Sequence, residues 1–289
     1  MPEKVLIIGC GDIGRRAAKL WQSEGYDIFG IVRSDASARV LRQQEIEPIP
    51  YDLDFADNTL SLPLKDSLVF YFIPPDRSGH RDNRMRHFLA SIKPKQNPKR
   101  IIYISTSGVY GDCRGNWVTE ESPVNPMIDR SRRRVDAERA LSGWAKKSVV
   151  SIVTLRVPGI YGPNRLPIQR IQAGEPVLRQ EDAPWTNRIH ADDLARVAVQ
   201  AAKTKRPDRV YNISDGNPGT VTEYYNTVAD AIQLPRPPTI SMEKARRIFS
   251  PMRLSFLAES RRLDNRRMLG ELNIVLRYPT MKEGIPASI

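Results

Sequence analysis

The chain has 289 residues, 40% apolar, 27% charged and 7% aromatic, and 45 Lys and Arg against 33 Asp and Glu leave a net charge of +12. That length suffices for one large α/β domain, or a domain with a smaller lobe, and it excludes stapled mini-folds and fibres. Cys10 and Cys113 are the only thiols and His80, His87 and His190 lie far apart in the chain, so the expectation is two reduced cysteines and no metal.

Short β-rich apolar runs alternate with helical patterns through the first two thirds of the chain. The strands expected are Val5–Ile8, Ile28–Val32, a weaker Ile46–Tyr51, Leu68–Ile73, Ile101–Ser105, Val149–Leu155 and Val210–Ile213. Helices are expected over Ile13–Ser23, Ala36–Gln44, Asn83–Ile92, Arg130–Ala145, Asp192–Ala202 and Val221–Ile232. This alternation is that of a parallel sheet with crossover helices, and its order fits a doubly wound sheet. From Pro158 to Pro184, and again from Leu234 onward, the alternation fails, prolines accumulate and the helical pattern over Arg261–Leu272 stands alone. Residues 1–157 and 187–233 are therefore expected to form the sheet domain, and 158–186 with 234–289 a small substrate lobe.

The longest apolar run, Leu68–Ile73, stops at Pro74-Pro75, far short of the ~20 residues that cross a bilayer. The apolar stretch before Gly9 is too short for the core of a secretory signal, so a cytoplasmic location is expected. The surplus charge is mostly arginine, in short bursts over Arg77–Arg86, Arg130–Arg139 and Arg246–Arg267, without the aromatic interleaving of a single-strand platform. Nucleic acid is therefore not the expected partner.

The sharpest signal is Gly9-Cys10-Gly11-Asp12-Ile13-Gly14, between the first strand and the first helix. In that context Gly9 permits the tight turn, Gly11 lets backbone approach a pyrophosphate and Gly14 lets helix and strand pack closely. The helix N-terminus adds free N–H groups and partial positive charge. Cys10 is small enough for this loop, and the helix end would lower its thiol pKa and open it to oxidation. Where an acidic residue would bind the adenosine ribose, the chain has Arg33 and Ser34, with Asp35 next. Arg33 only donates, and its planar fork suits a 2′-phosphate, so NADP(H) is favoured over NAD(H); Asp35 keeps the NAD(H) alternative open.

With these residues the sequence resembles the extended and atypical branch of the short-chain dehydrogenase/reductase superfamily, the NAD(P)-dependent epimerase/dehydratase-like proteins. The resemblance runs nearly end to end and implies an α/β fold, a Rossmann-type doubly wound parallel sheet with a smaller C-terminal substrate lobe. Asp52-Leu53 resembles the family's adenine-side pair, and Phe72-Ile73-Pro74 its fourth-strand cofactor contact. In Ile104-Ser105-Thr106-Ser107-Gly108-Val109-Tyr110-Gly111 the position of the family's catalytic Ser or Thr falls on Thr106. Leu155-Arg156, Tyr161-Gly162-Pro163, Ile189-His190-Ala191-Asp192-Asp193 and Tyr211-Asn212-Ile213 match later landmarks in order. The resemblance also implies cofactor contacts from Ser105 and Pro158.

One departure stands out. Family members carry Tyr-x-x-x-Lys on the helix after the fifth strand, followed by an acidic residue, and Glu138 fits that acidic position. Arg134 then stands where the lysine belongs and Arg130 where the tyrosine belongs. The spacing keeps both on one helix face, but a guanidinium stays protonated and cannot act as general base. The functional reading is that Arg134 holds the nicotinamide ribose while Arg130 orients an acidic substrate or polarises its carbonyl. A solvated helix with Asp129, Asp136 and Glu138 as partners is the plainer alternative.

Ser107, Tyr110, Arg156, Tyr161 and His190 complete the candidate substrate contacts. For Arg156 a brace to a carboxylate is an equal alternative, and for His190 and the two tyrosines a packing role. Two functions follow. One is an NAD(P)(H)-dependent epimerase/dehydratase-like oxidoreductase acting on a hydroxyl or carbonyl of a small anionic, nucleotide-sugar-like substrate, as monomer or homodimer. The other is a catalytically silent NADP(H) sensor.

Overall fold

The computed structural model describes residues 3–55, 62–206 and 208–289, and the chain divides into two compact units. The first comprises residues 1–106, 129–156 and 194–211. Its strands are β1 (Lys4–Ile8), β2 (Asp27–Val32), β3 (Glu47–Pro50), β4 (Leu68–Tyr71), β5 (Arg100–Thr106), β6 (Ser151–Val157) and β7 (Arg209–Asn212). Its helices are α1 (Asp12–Gln22), α2 (Asp35–Arg42), α3 (Asn83–Ser91), α4 (Asp129–Ser148) and α5 (Ala191–Lys203), the last beginning a few residues before this unit resumes.

The strands form one seven-stranded sheet in the order β7-β6-β5-β4-β1-β2-β3, and β3 to β5 pair in parallel. A strand buried on both faces has no solvent side, which is why β1 and β4 read as unbroken apolar runs rather than as alternations. Val5, Leu6, Ile7, Ile8 and Val69 are fully buried, and Leu6 lies opposite both Phe29 and Val69. One core cluster joins Leu6, Tyr71, Phe88, Tyr103 and Leu141, tying α3 and α4 to the sheet. The chain passes from β1 outward to β3 and then returns to the other side of β1 as β4. The order therefore reverses between β1 and β4, where open α/β sheets bind their ligands beyond the carboxyl ends of the strands.

Most expected bounds move by one to three residues, and three of the differences have a visible cause. β4 ends at Tyr71 because the N–H groups of Phe72 and Ile73 both turn to the carbonyl of Ile8, at 2.8 and 3.1 Å, which bends the chain ahead of Pro74. β6 starts at Ser151 because Val149 takes φ 56° in the turn after α4, fully exposed to water. The isolated helix is shorter than its pattern. Only Arg266–Leu272 is helical, while Arg262–Leu263 pairs as a strand with Trp117–Val118.

The second unit comprises residues 107–128, 157–193 and 212–289. It is built from short two-stranded ladders, among them Gly159–Tyr161 beside Arg188–His190 and Val177–Leu178 beside Thr239–Ile240. The helix Val221–Ala231 starts in a capping box between Thr220 and Glu223. This unit is larger than the lobe expected at 158–186 and 234–289, since 107–128 and the Val221–Ala231 helix fall within it. The reason is packing. Tyr224, Tyr225 and Val228 bury against Tyr161, Ile171, Val177 and Ile285, and the Asn212 amide donates to the carbonyls of Val118 and Asp264.

Candidate functional site

The glycine loop has the geometry its sequence demands. Gly9 has φ +85°, and a Cβ there would lie 2.7 Å from the Ile73 nitrogen, so β1 and the chain leaving β4 approach too closely for any side chain. A Cβ on Gly14 would meet Ile7 at 2.9 Å, which fixes how tightly α1 packs on β1. A Cβ on Gly11 would meet nothing within 4 Å. Gly11 is also the N-cap of α1, and no side chain caps it. A helix N-terminus gathers backbone N–H groups and partial positive charge, and here it begins at Gly11. The open side at Gly11 leaves room for an anionic group to approach the backbone. Cys10 differs from its expectation: it is buried against Gly30 and Gly14, and burial pushes its thiol up to about 12, so the helix end does not make it reactive.

Arg33, exposed at the end of β2, reaches Asp54 at 3.1 Å. Arg84 of α3 grips the same carboxylate with Nε to Oδ1 at 2.5 Å and Nη2 to Oδ2 at 2.8 Å, and donates to the Pro74 carbonyl at 2.9 Å. The Arg84 hydrogen bond holds the Asp54 carboxyl below its ordinary range. Ser34 accepts the Ser37 N–H at 3.3 Å as N-cap of α2, with Asp35 in the first turn. The Asp52 carboxylate accepts the Asp54 N–H at 2.9 Å. Leu53 buries its side chain in the core and turns its carbonyl to His87 Nδ1 at 2.8 Å. Phe72 packs edge-on against Phe70.

On α4, the Arg134 guanidinium donates to the carbonyl of Ile104 at 2.8 Å and reaches those of Ile73 and the Tyr103 hydroxyl at 3.4 Å. It therefore bridges the carboxyl ends of β4 and β5. Arg130 stands one turn earlier on the same helix. Glu138, one turn later, accepts from Ser105 Oγ at 2.5 Å and from Arg156 through Nη2 at 2.9 Å and Nε at 3.3 Å. Arg156, an expected substrate contact, is thus engaged in the carboxylate brace, because a buried guanidinium and carboxylate lose their hydration unless they satisfy one another. Ser105, an expected cofactor contact, gives its hydroxyl proton to the same carboxylate. Thr106 closes β5, and Ser107 opens the buried 3-10 turn Ser107–Tyr110.

Three further substrate candidates lie in the core of the second unit. Tyr110, 2% exposed, donates to Asn212 Oδ1 at 2.7 Å. Tyr161, fully buried, packs edge-on against His190, reaches the Thr280 carbonyl at 3.4 Å, and has its phenol pKa raised by burial. His190 accepts the Asp192 N–H at Nδ1, 3.1 Å, and Nε2 meets Ser288 Oγ at 3.2 Å. Its ring lies tilted against that of Tyr278, 4.1 Å between centroids. These side chains hold the unit together rather than opening onto a ligand, for their partners come from segments distant in sequence. Pro158 lies between β6 and the Gly159–Tyr161 strand.

Residues 79–214 match the NAD dependent epimerase/dehydratase family. The protein YeeZ of Escherichia coli K12 is 27% identical over 220 residues, covering 73% of this chain and 77% of that protein. A functionally unknown conserved protein from Silicibacter pomeroyi superposes with a TM-score of 0.82 at 27% identity over 99% of this chain and 97% of its own. The UDP-glucuronic acid 4-epimerase from Bacillus cereus, solved in complex with NAD, superposes with a TM-score of 0.79 at 18% identity over 99% of this chain and 95% of its own.

Within this epimerase/dehydratase fold, sequence reasoning overlooked Arg84 and Asp54. The arginine burst around Arg84 reads as surface charge, and only the fold brings Arg84 across 30 residues to Asp54. Arg133 was likewise grouped with its exposed neighbours, yet it is buried and donates to the Gly79 carbonyl at 2.7 Å. No helix among the described residues is long and apolar enough to cross a membrane.

Proposed function

We propose that the first unit binds NADP(H) in preference to NAD(H), and that the chain is an oxidoreductase or epimerase acting on a hydroxyl or carbonyl of a small anionic, nucleotide-sugar-like substrate. The observation that carries this reading is the cradle at Gly9, Gly11 and Gly14, with its uncapped helix end and open approach at Gly11. Cys10, Asp12 and Ile13 complete the loop, while Asp52, Leu53, Phe72, Ile73, Pro74 and Ser105 of the same unit border the dinucleotide. Arg33 supplies the guanidinium for a 2′-phosphate, and Ser34, already capping α2, brings that helix end beside it.

A bound nicotinamide supplies the hydride exchange. Arg134 fixes the carboxyl ends of β4 and β5 and holds the ribose in place of the family's lysine. Arg130 keeps its charge at every physiological pH, so it orients an anionic group or polarises a carbonyl and moves no proton. With the phenols of Tyr110 and Tyr161 enclosed, the hydroxyl of Thr106 is the protein group that positions the reacting oxygen, and proton transfer falls to water or to the substrate's own groups. Ser107 is the adjacent hydroxyl.

The test is calorimetric titration of the protein with NADP+, NADPH, NAD+ and NADH, followed by UDP- and dTDP-hexoses with nicotinamide absorbance as the readout. Tighter binding of the phosphorylated pair and hydride transfer to one substrate are expected; no heat with any dinucleotide overturns the reading. Arg130 at the tyrosine position favours a second function, a silent NADP(H)-binding regulator, and binding with no turnover across the sugar panel selects it.

A further inference from the structure

The second unit holds a cavity of about 700 Å³ that the dinucleotide reading does not use. Its charge is one-sided. Arg165, Arg170, Arg188 and Arg253 line it, against one lining carboxylate, Glu175. Glu175 is already shared, with Arg253 at 3.0 Å and Arg170 at 4.0 Å. Arg188 lies with its guanidinium 4.3 Å over the Tyr224 ring, and its buried Nε has no hydrogen-bond partner. Burial lowers the Arg188 pKa, and Asp215, buried close by, offsets only part of that. A cation taken out of water in this way is stabilised by an anion brought to it.

The cavity also has an apolar side that faces water. Ile248, Met252 and Phe256 line it and are 54%, 71% and 58% exposed. They stand on or beside two short consecutive helices, Met242–Ile248 and Pro251–Leu257, whose Ala245 and the intervening Phe249 are buried instead. Large apolar side chains gathered at the edge of a cationic cavity gain nothing from a wholly polar ligand, but each would lose its water contact against a hydrocarbon.

We infer that this cavity binds an amphiphilic anion, with a phosphate or carboxylate head toward Arg188 and Arg170 and an apolar chain or ring against Met252 and Phe256. The site does not depend on the dinucleotide cradle, so it is tested on the full chain without pyridine nucleotide. Calorimetry with dodecyl phosphate below its micelle concentration is expected to give micromolar binding, with inorganic phosphate and neutral dodecanol each at least about a hundredfold weaker. Dodecanoate in place of dodecyl phosphate separates a carboxylate head from a phosphate head. Met252→Glu and Phe256→Glu change exposed side chains and leave the thermal midpoint unmoved, yet each is expected to weaken dodecyl phosphate about tenfold or more. Arg188→Gln removes the preference for the charged head over dodecanol. Absence of heat with both amphiphiles overturns the inference, as does equal affinity in the two rim variants. UDP-glucose binding that displaces dodecyl phosphate and is indifferent to both rim substitutions also overturns it, for the cavity would then be a sugar-nucleotide subsite.

Discussion

Arg156 and Glu138 meet side by side, Nη2 to Oε2 at 2.9 Å and Nε to Oε1 at 3.3 Å, with side chains only 7% and 14% exposed. Because water cannot replace either partner, Arg156→Met leaves the buried carboxylate with the Ser105 hydroxyl but without this counter-charge, and is expected to cost about 3–5 kcal/mol in urea denaturation. Arg156→Met combined with Glu138→Leu is expected to recover most of that loss. If the single and double variants are equally unstable, the pair is not a mutual brace.

Gly9 and Gly11 separate folding from binding. Gly9→Ala forces a Cβ to 2.7 Å from the Ile73 nitrogen at φ +85° and is expected to destabilise by about 2 kcal/mol or more. Gly11→Ala meets no protein atom within 4 Å, so stability should change by about 0.5 kcal/mol or less while NADPH affinity falls at least about tenfold. Thermal melts paired with calorimetry distinguish the two, and unaltered NADPH binding by Gly11→Ala would remove the pyrophosphate from this loop.

The proposed preference for NADP(H) rests on Arg33. Its side chain is 54% exposed and held only by Asp54 at 3.1 Å among the described contacts, so it is available to turn toward a 2′-phosphate. Arg33→Ala is expected to weaken NADPH by about ten- to a hundredfold, the worth of a charged hydrogen bond, and to leave NADH unchanged. Parallel losses for both nucleotides in the titration would assign Arg33 a structural role.

Asp215 gives the protein a pH-dependent stability. Burial raises its pKa from 3.8 to about 7, so the folded state holds the proton more tightly than the unfolded chain. The contribution of Asp215 is then largest below about pH 4, falls as pH rises toward about 7 at up to roughly 1.4 kcal/mol per unit, and levels off above. Asp215→Asn is expected to flatten this profile and to be more stable than the parent at pH 8. Denaturant titrations from pH 4 to 8 check this; an unchanged slope in the variant assigns the dependence elsewhere.

Local signals were legible because their physics is local. Gly9 to Gly14 declares its loop by spacing, and Val5–Ile8 and Leu68–Tyr71 declare buried strands by unbroken apolarity. Ser34 and Thr220 announce helix starts with hydroxyls that cap their own helices. The acidic position of Glu138 follows from counting along one helix. None of these needs a partner from elsewhere in the chain.

What the sequence by itself determined is thus the parallel sheet with its crossover helices and a glycine loop between the first strand and the first helix, because period and glycine placement act within a few residues. Tertiary structure alone decided which polar groups remain open to a ligand. Tyr110 meets Asn212, His190 meets Ser288, Tyr161 reaches Thr280, and Arg84 is claimed by Asp54. Such pairings arise only when segments 30 to 119 residues apart are brought together by burial of the apolar core. Once buried, a polar group must be satisfied by whatever neighbour the fold supplies.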